Sequence, residues 1–140
     1  MIHNIRYRIF VYENEDETVI IDSLCNILPT AKPDKEIAEG LTGNPITIIS
    51  GKITKKRESK DFVAKLLASE DLDKDKFSKD LDKKMDKNGN LFLRLSKEAA
   101  LEEKLKIVDS GDSIHLKIKI AAFPAKKEIA IPIAKELFEC

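Results

Sequence analysis

Apolar and polar positions alternate with a period of two over several stretches of this chain, and turn-forming residues frame each stretch. The clearest run covers 112–120, where Ile114, Leu116, Ile118 and Ile120 alternate with His115, Lys117 and Lys119. A strand with that period turns one side to a core and the other to water, and here the wet side is basic. From His3 to Val11 the same pattern sets Ile5, Tyr7, Ile9 and Val11 against Asn4, Arg6, Arg8 and Phe10. After the tight turn at Asn88-Gly89, Leu91, Leu93 and Leu95 oppose Phe92 and Arg94. Ile46 to Ile53 reads as a further strand in which Gly51 marks an expected bulge. The dense turn signal Gly40-Leu41-Thr42-Gly43-Asn44-Pro45 joins it to a short edge strand around Lys35 to Ala38. Leu105 to Val108 is expected to form a second hairpin with strand 112–120 through the turn Asp109-Ser110-Gly111-Asp112.

Between the strands the apolar period becomes that of a helix. Asn14 to Glu17 forms a capping-box pattern ahead of Val19, Ile20, Ile21, Leu24, Cys25, Ile27 and Leu28, a stripe that Pro29 ends. Thr54 is placed to cap a helix through Ser69 with Phe62, Val63, Leu66 and Leu67 as its buried stripe. Lys55, Lys56 and Arg57 crowd the first turn of that helix, where cations oppose the dipole and invite an anion. Residues 71–87 offer only the thin stripe Phe77, Leu81 and Met85, which predicts an exposed, mobile helix. Ser96 caps a short helix through about Glu103. Pro124 suits the first position of a closing helix whose face is Ile129, Ala130, Ile133, Ala134, Leu137 and Phe138, with Pro132 on the far side bending it without breaking it. Together these elements predict one α+β domain over residues 1–140. It is a two-layer fold in which a mainly antiparallel sheet carries the first, second and closing helices on one face and shows its basic face opposite.

Composition narrows the chemistry. A chain of 140 residues suits one core, and 25 Lys+Arg balance 25 Asp+Glu, so any affinity for a polyanion has to come from local segregation of charge. Cys25 and Cys140 supply neither a disulfide framework nor a metal-ligand spacing and are expected as reduced thiols. The first residues lack the apolar core of a signal sequence, and no run reaches the roughly 18 apolar residues of a membrane span, so a cytoplasmic protein is expected. Gly40-x-x-Gly43 lies between strands, unlike the helix-joining loop with which KH domains clamp a nucleic-acid backbone. Setting Gly89 at the sixth position of an EF-hand loop puts Lys84 first and Leu95 last, where carboxylates are needed. His3 and His115 have no ligand or nucleophile partner at useful spacing, and phosphate-binding, dinucleotide-binding and nucleophile-elbow motifs are absent. No metal, cofactor or enzymatic activity is expected.

The positive signal is collective. Arg6, Arg8, Arg94, His115, Lys117 and Lys119 share one sheet face with Phe10 and Phe92, and two helix starts add Lys55, Lys56 and Arg57 and then Lys126 and Lys127. Cations for phosphates and rings for bases suit RNA, and a helix N-terminus favours an anion. The bland reading is the wet side of an antiparallel sheet, its rings covered by a helix or a second subunit. An interaction module docking an acidic protein is the competing function. A hydrolase or transferase would need a pocket with convergent polar groups.

Five blocks bring a family in: Ile2-His3-Asn4-Ile5-Arg6-Tyr7-Arg8, Glu39 through Ile46, Lys55-Lys56-Arg57-Glu58, Gly89 through Arg94, and Ile118 through Lys126. In this order, across nearly the whole chain, they resemble the archaeal family described as predicted RNA-binding exosome subunits. The resemblance implies a two-layer α+β fold like that of a large-subunit ribosomal protein, also compared with the double-stranded-RNA-binding domain. It further implies a non-catalytic RNA-related role with exosome or ribosomal components as partners, and it leaves the oligomeric state open, a homodimer included. Arg6, Arg8, Lys55, Lys56, Arg57, Arg94, Lys119 and Lys126 match the family's basic positions. Pro132 departs from its uninterrupted final helix.

Overall fold

In the computed structural model, which describes residues 1–41 and 43–138, β1 (Ile2–Val11) lies at the centre of a five-stranded sheet. The other strands are β2 (Asp34–Glu39), β3 (Pro45–Ile53), β4 (Asn90–Ser96) and β5 (Ser113–Ile120), in the order β2-β3-β1-β5-β4. Every neighbouring pair is antiparallel. β1 is paired on both sides, by β3 and by β5, and its Ile5, Tyr7, Ile9 and Val11 turn to the apolar face and are buried.

Five helices cover that apolar face: α1 (Glu17–Ile27), α2 (Lys56–Leu67), α3 (Lys74–Lys84), α4 (Lys97–Leu101) and α5 (Lys127–Leu137). Ile20 and Leu24 of α1, Phe62 and Leu66 of α2, Phe77 and Leu81 of α3, and Ala130 and Ala134 of α5 join the strand residues in one core. The two-layer α+β expectation is therefore met, with α3 and α4 added to its helical layer. The small face of α5 lets it approach closely: Ala130 packs on the turn at Gly89, whose φ of 80° suits a residue without a side chain. Phe77 meets the ring of Phe138 edge to face at 4.9 Å between centroids, so α3 is anchored by its narrow stripe.

Several local expectations are corrected. The N-cap of α1 is Asp16, which accepts from the Thr18 and Val19 amides, while Glu15 turns back to the Tyr12 amide. Lys55, and not Thr54, is the N-cap of α2, and no side chain caps it. Residues 105–108 lie beside the outer edge of β4, held by Ser96 N–H to the Lys106 carbonyl and Val108 N–H to the Arg94 carbonyl, and the strand paired with β5 on this side is β4, joined to it through α4. Pro124 lies ahead of α5, which begins at Lys127, and follows a cis peptide bond. Pro132 is exposed inside α5, as its position opposite the buried face requires, but Ile129 from that expected face is 39% exposed.

Gly51 makes no bulge. It pairs in register with Tyr7, and the irregularity falls between Ile2 and Asn4 instead. What Gly51 provides is room: a Cβ there would run into the hydroxyl and ring of the buried Tyr7. Gly51→Ala is therefore expected to cost about 1–3 kcal/mol by overpacking. The same substitution in a Tyr7→Leu background should cost distinctly less, a non-additivity measured by urea denaturation of the four proteins.

The far end of the sheet is fastened by Lys97, which is only 6% exposed. Its ammonium donates to the Phe10 carbonyl at 2.7 Å, to Glu15 Oε1 at 2.8 Å and to both Asp112 oxygens at 3.1 and 2.9 Å. It also lies 5.3 Å from the centroid of the Tyr12 ring. One cation thus joins the end of β1, the turn after it, the start of α4 and the approach to β5. Lys97→Met keeps the apolar stem and leaves one carbonyl and two carboxylates without this donor, and we expect it to lower stability by about 1–3 kcal/mol in the same assay.

Candidate nucleic-acid interface

The registers of β3, β5 and β4 around β1 turn the alternation of single strands into rows across the sheet. One outward row reads Lys52, Arg6, Lys117, Phe92, and the next reads Ser50, Arg8, His115, Arg94 with Asp34 of β2 beyond Ser50. Strands spaced about 4.8 Å apart make the first row roughly 15 Å long, and the second lies about 7 Å away, two residues along each strand. Arg6, Arg8, Lys52, Lys117 and Arg94 are exposed, and His115 is half-buried between the two arginines of its row. Each outward residue is held there by the burial of its neighbours, Ile5 and Tyr7 around Arg6, Leu116 and Ile118 around Lys117, and Leu93 and Leu95 around Arg94.

The rings are interleaved with these charges. The Arg8 guanidinium is 5.4 Å from the Phe10 centroid, and the Phe10 and His115 rings meet edge to face at 6.1 Å. Lys117 Nζ stands 5.9 Å from the centroid of Phe92, which is 46% exposed. Two shallow depressions of about 640 and 570 Å³ meet at Phe92 and His115. The first is bordered by Arg6, Arg8, Lys52 and Lys117 with the anion Asp34, the second by Lys83, Lys84 and Arg94 with the anions Asp86 and Asp109. Burial first, then the Arg94 and Arg8 cations, push the His115 imidazole below its ordinary range, against a smaller opposing pull from Asp112.

The remaining expected residues lie at the end of the sheet where β3 and β5 both finish, and where α2 and α5 therefore begin. Lys55, Lys56 and Arg57 are exposed around the start of α2. The anion invited by that turn is in part its own: Glu58 is buried, and its carboxylate accepts from the backbone amide and the hydroxyl of Thr30. Lys126 is exposed, whereas Lys127 pairs with Asp82 at 3.5 Å and its N–H donates to the Lys87 carbonyl at 3.1 Å. Lys119 is half-buried, its ammonium donating to the Asn88 carbonyl at 3.0 Å. That carbonyl belongs to a turn organised by Asp86, which accepts from Asn88 and Asn90. The structure thus gathers Arg6, Arg8, Arg94 and Lys117 on the sheet face and leaves the helix-start lysines along one end of it.

Lys52 escaped the sequence reading, and the reason is Gly51. A bulge at Gly51 would have broken the alternation just before Lys52, whereas the unbroken register places Lys52 opposite Arg6. Among the described residues, no group of three or more His, Cys, Asp or Glu side chains could hold a metal ion, and no helix is long and apolar enough to cross a membrane. Cys25 is a free, half-buried thiol, while Cys140 lies outside the described residues.

An antiparallel α+β domain whose charge is segregated onto one ring-bearing sheet face is the class that fold and surface define. The chain belongs to the family described as RNA binding, whose model matches residues 4–120. It is 30% identical over 145 residues to RNA-binding protein PAB1135 of Pyrococcus abyssi, a match covering 98% of this chain and 94% of that protein. The solved structure of Mth689, a DUF54 protein from Methanothermobacter thermautotrophicus, is similar with a TM-score of 0.87 and 43% identity over 99% of this chain and 98% of that one.

The environment of His115 has a measurable consequence. Between its folded and unfolded midpoints the unfolded chain holds more protons at this site, so the imidazole opposes folding at low pH and this penalty vanishes as pH rises through the window. In an NMR titration the His115 midpoint should lie below the ordinary histidine range, and Arg94→Gln should raise it by removing the larger of the two cationic contributions.

Proposed function

We propose that this chain is a non-catalytic RNA-binding protein that meets RNA with the outward rows of its sheet, Arg6, Lys52 and Lys117 in the first and Arg8 and Arg94 in the second. The observation that carries the reading is segregation: a chain of formal net charge zero puts five exposed cations and an exposed ring on one sheet face. Such a surface attracts phosphates by charge, which also makes its affinity depend on salt. Lys55, Lys56 and Arg57, with Lys126 beside the start of α5, extend the cationic surface around the end of the sheet where RNA leaving the face would pass. The family and the name of the Pyrococcus relative support RNA as the partner. We place the protein in the cytoplasm, in association with the exosome or with ribosome-related RNA processing, the setting implied by the archaeal family it resembles.

Binding to a structured RNA should weaken as salt rises. In the logarithmic plot of affinity against salt, each phosphate contact contributes about 0.7–0.9 to the slope. Replacing Arg6, Lys52 and Lys117 together by Gln is expected to flatten that slope by about two to three, and replacing Lys55, Lys56 and Arg57 together by Gln should flatten it by a smaller amount. An unchanged slope in both triple variants, or no binding to any RNA at low salt, would put the docking of an acidic protein ahead. Crosslinking in a native extract then identifies the partner.

A further inference from the structure

Phe10 and Phe92 both point outward from the sheet and each has a cation near its ring, but Phe92 is the more exposed of the two. Phe10 is half-buried, with the Arg8 guanidinium over its ring and His115 against its edge. Phe92 is nearly half exposed, and its cross-strand neighbour on β5 is Lys117, a cation and not an apolar residue. A ring in that position adds little to the core. It stands at the end of the row that begins with Lys52, Arg6 and Lys117, where the two depressions of the face meet.

We propose that Phe92 is a stacking platform for one unpaired base, so that the sheet face selects single-stranded or looped RNA over duplex. This rests on the RNA-binding reading above and adds the form of RNA that the face takes. Within a duplex both faces of every base are covered by its neighbours, so a protein ring gains access only to a base that is splayed out. Phosphates on either side of such a nucleotide would find cations on either side of the ring, Lys117 and Arg6 along its own row and Arg94 two residues along β4. A duplex presents phosphates alone, and an exposed ring then contributes nothing. Stacking also tolerates any base, because every base has a π face, so the selection is by strandedness and not by sequence.

The test compares a mixed-sequence 12-nucleotide RNA with a blunt duplex containing the same sequence, at one salt concentration, using the full chain. Wild-type protein should bind the single strand more tightly. Phe92→Ala should weaken single-strand binding about tenfold or more while leaving duplex affinity, salt slope and melting temperature in place, and Phe92→Tyr should restore single-strand affinity. The chain contains no Trp, so Phe92→Trp introduces a single Trp whose fluorescence, excited selectively over the two tyrosines, should be quenched by the single strand and not by the duplex. Equal binding of the two RNAs by wild type, or Phe92→Ala binding the single strand as wild type does, overturns the platform while the salt dependence keeps the RNA reading intact. Failure of wild type to bind either RNA at low salt overturns both.

Discussion

The constraint on which this molecule depends is the register of β1 with β3 and β5, unbroken from Ile5 to Arg8. Because side chains on a strand point alternately to opposite faces, a slip of one residue would carry Ile5, Tyr7 and Ile9 into water and Arg6 and Arg8 into the core. The apolar layer therefore fixes the cationic one. The same pairings that let α1, α2 and α5 close over Ile49, Leu116 and Ile118 also bring Lys52, Arg6 and Lys117 into line on the other side. Core and surface are two aspects of a single alignment.

That alignment explains how a chain with equal numbers of acidic and basic residues can have a polarised surface. Its carboxylates are spent largely elsewhere: Asp16 and Asp73 cap helices, Glu58 binds Thr30, Glu15 and Asp112 hold Lys97, and Asp86 organises the turn into β4. Several lysines are neutralised away from the face, Lys76 by Asp109 and Lys35 by Glu17 among them. The exposed cations of the sheet face outnumber the anions that border it, Asp34 at the end of one row and Asp86 and Asp109 beside one depression. Net charge is a sum over the whole surface, while a ligand senses only the part it touches.

Much of this was legible before the structure. Period-two alternation identified β1, β4 and β5 and assigned their faces correctly, because a half-buried antiparallel strand has no other way to satisfy its side chains, and the run after the Gly40–Pro45 turn identified β3. The edge strand β2 and the Ser96 cap of α4 were also found. Misses arose where tertiary context decides. The position of Pro124 ahead of α5, the Asp16 cap in place of Asn14, and residues 105–108 lying against β4 and not β5 all depend on where the chain has already been placed by its neighbours. Gly51 shows the limit most clearly: glycine in a strand signals that something is close, but only the fold reveals that the neighbour is the ring of Tyr7. Lys97 carried no sequence signal, since its acceptors come from segments up to 87 residues away.

The outer edge of β2 has a consequence for life at high concentration. Paired only with β3, it offers a row of open backbone groups, the kind of template on which chains stack into aggregates. Four of its six residues, Asp34, Lys35, Glu36 and Glu39, are charged, and another chain adding a strand there would have to strip water from them. The hydration of these four side chains thus guards the β2 margin against strand addition, although Ile37 between them is 75% exposed.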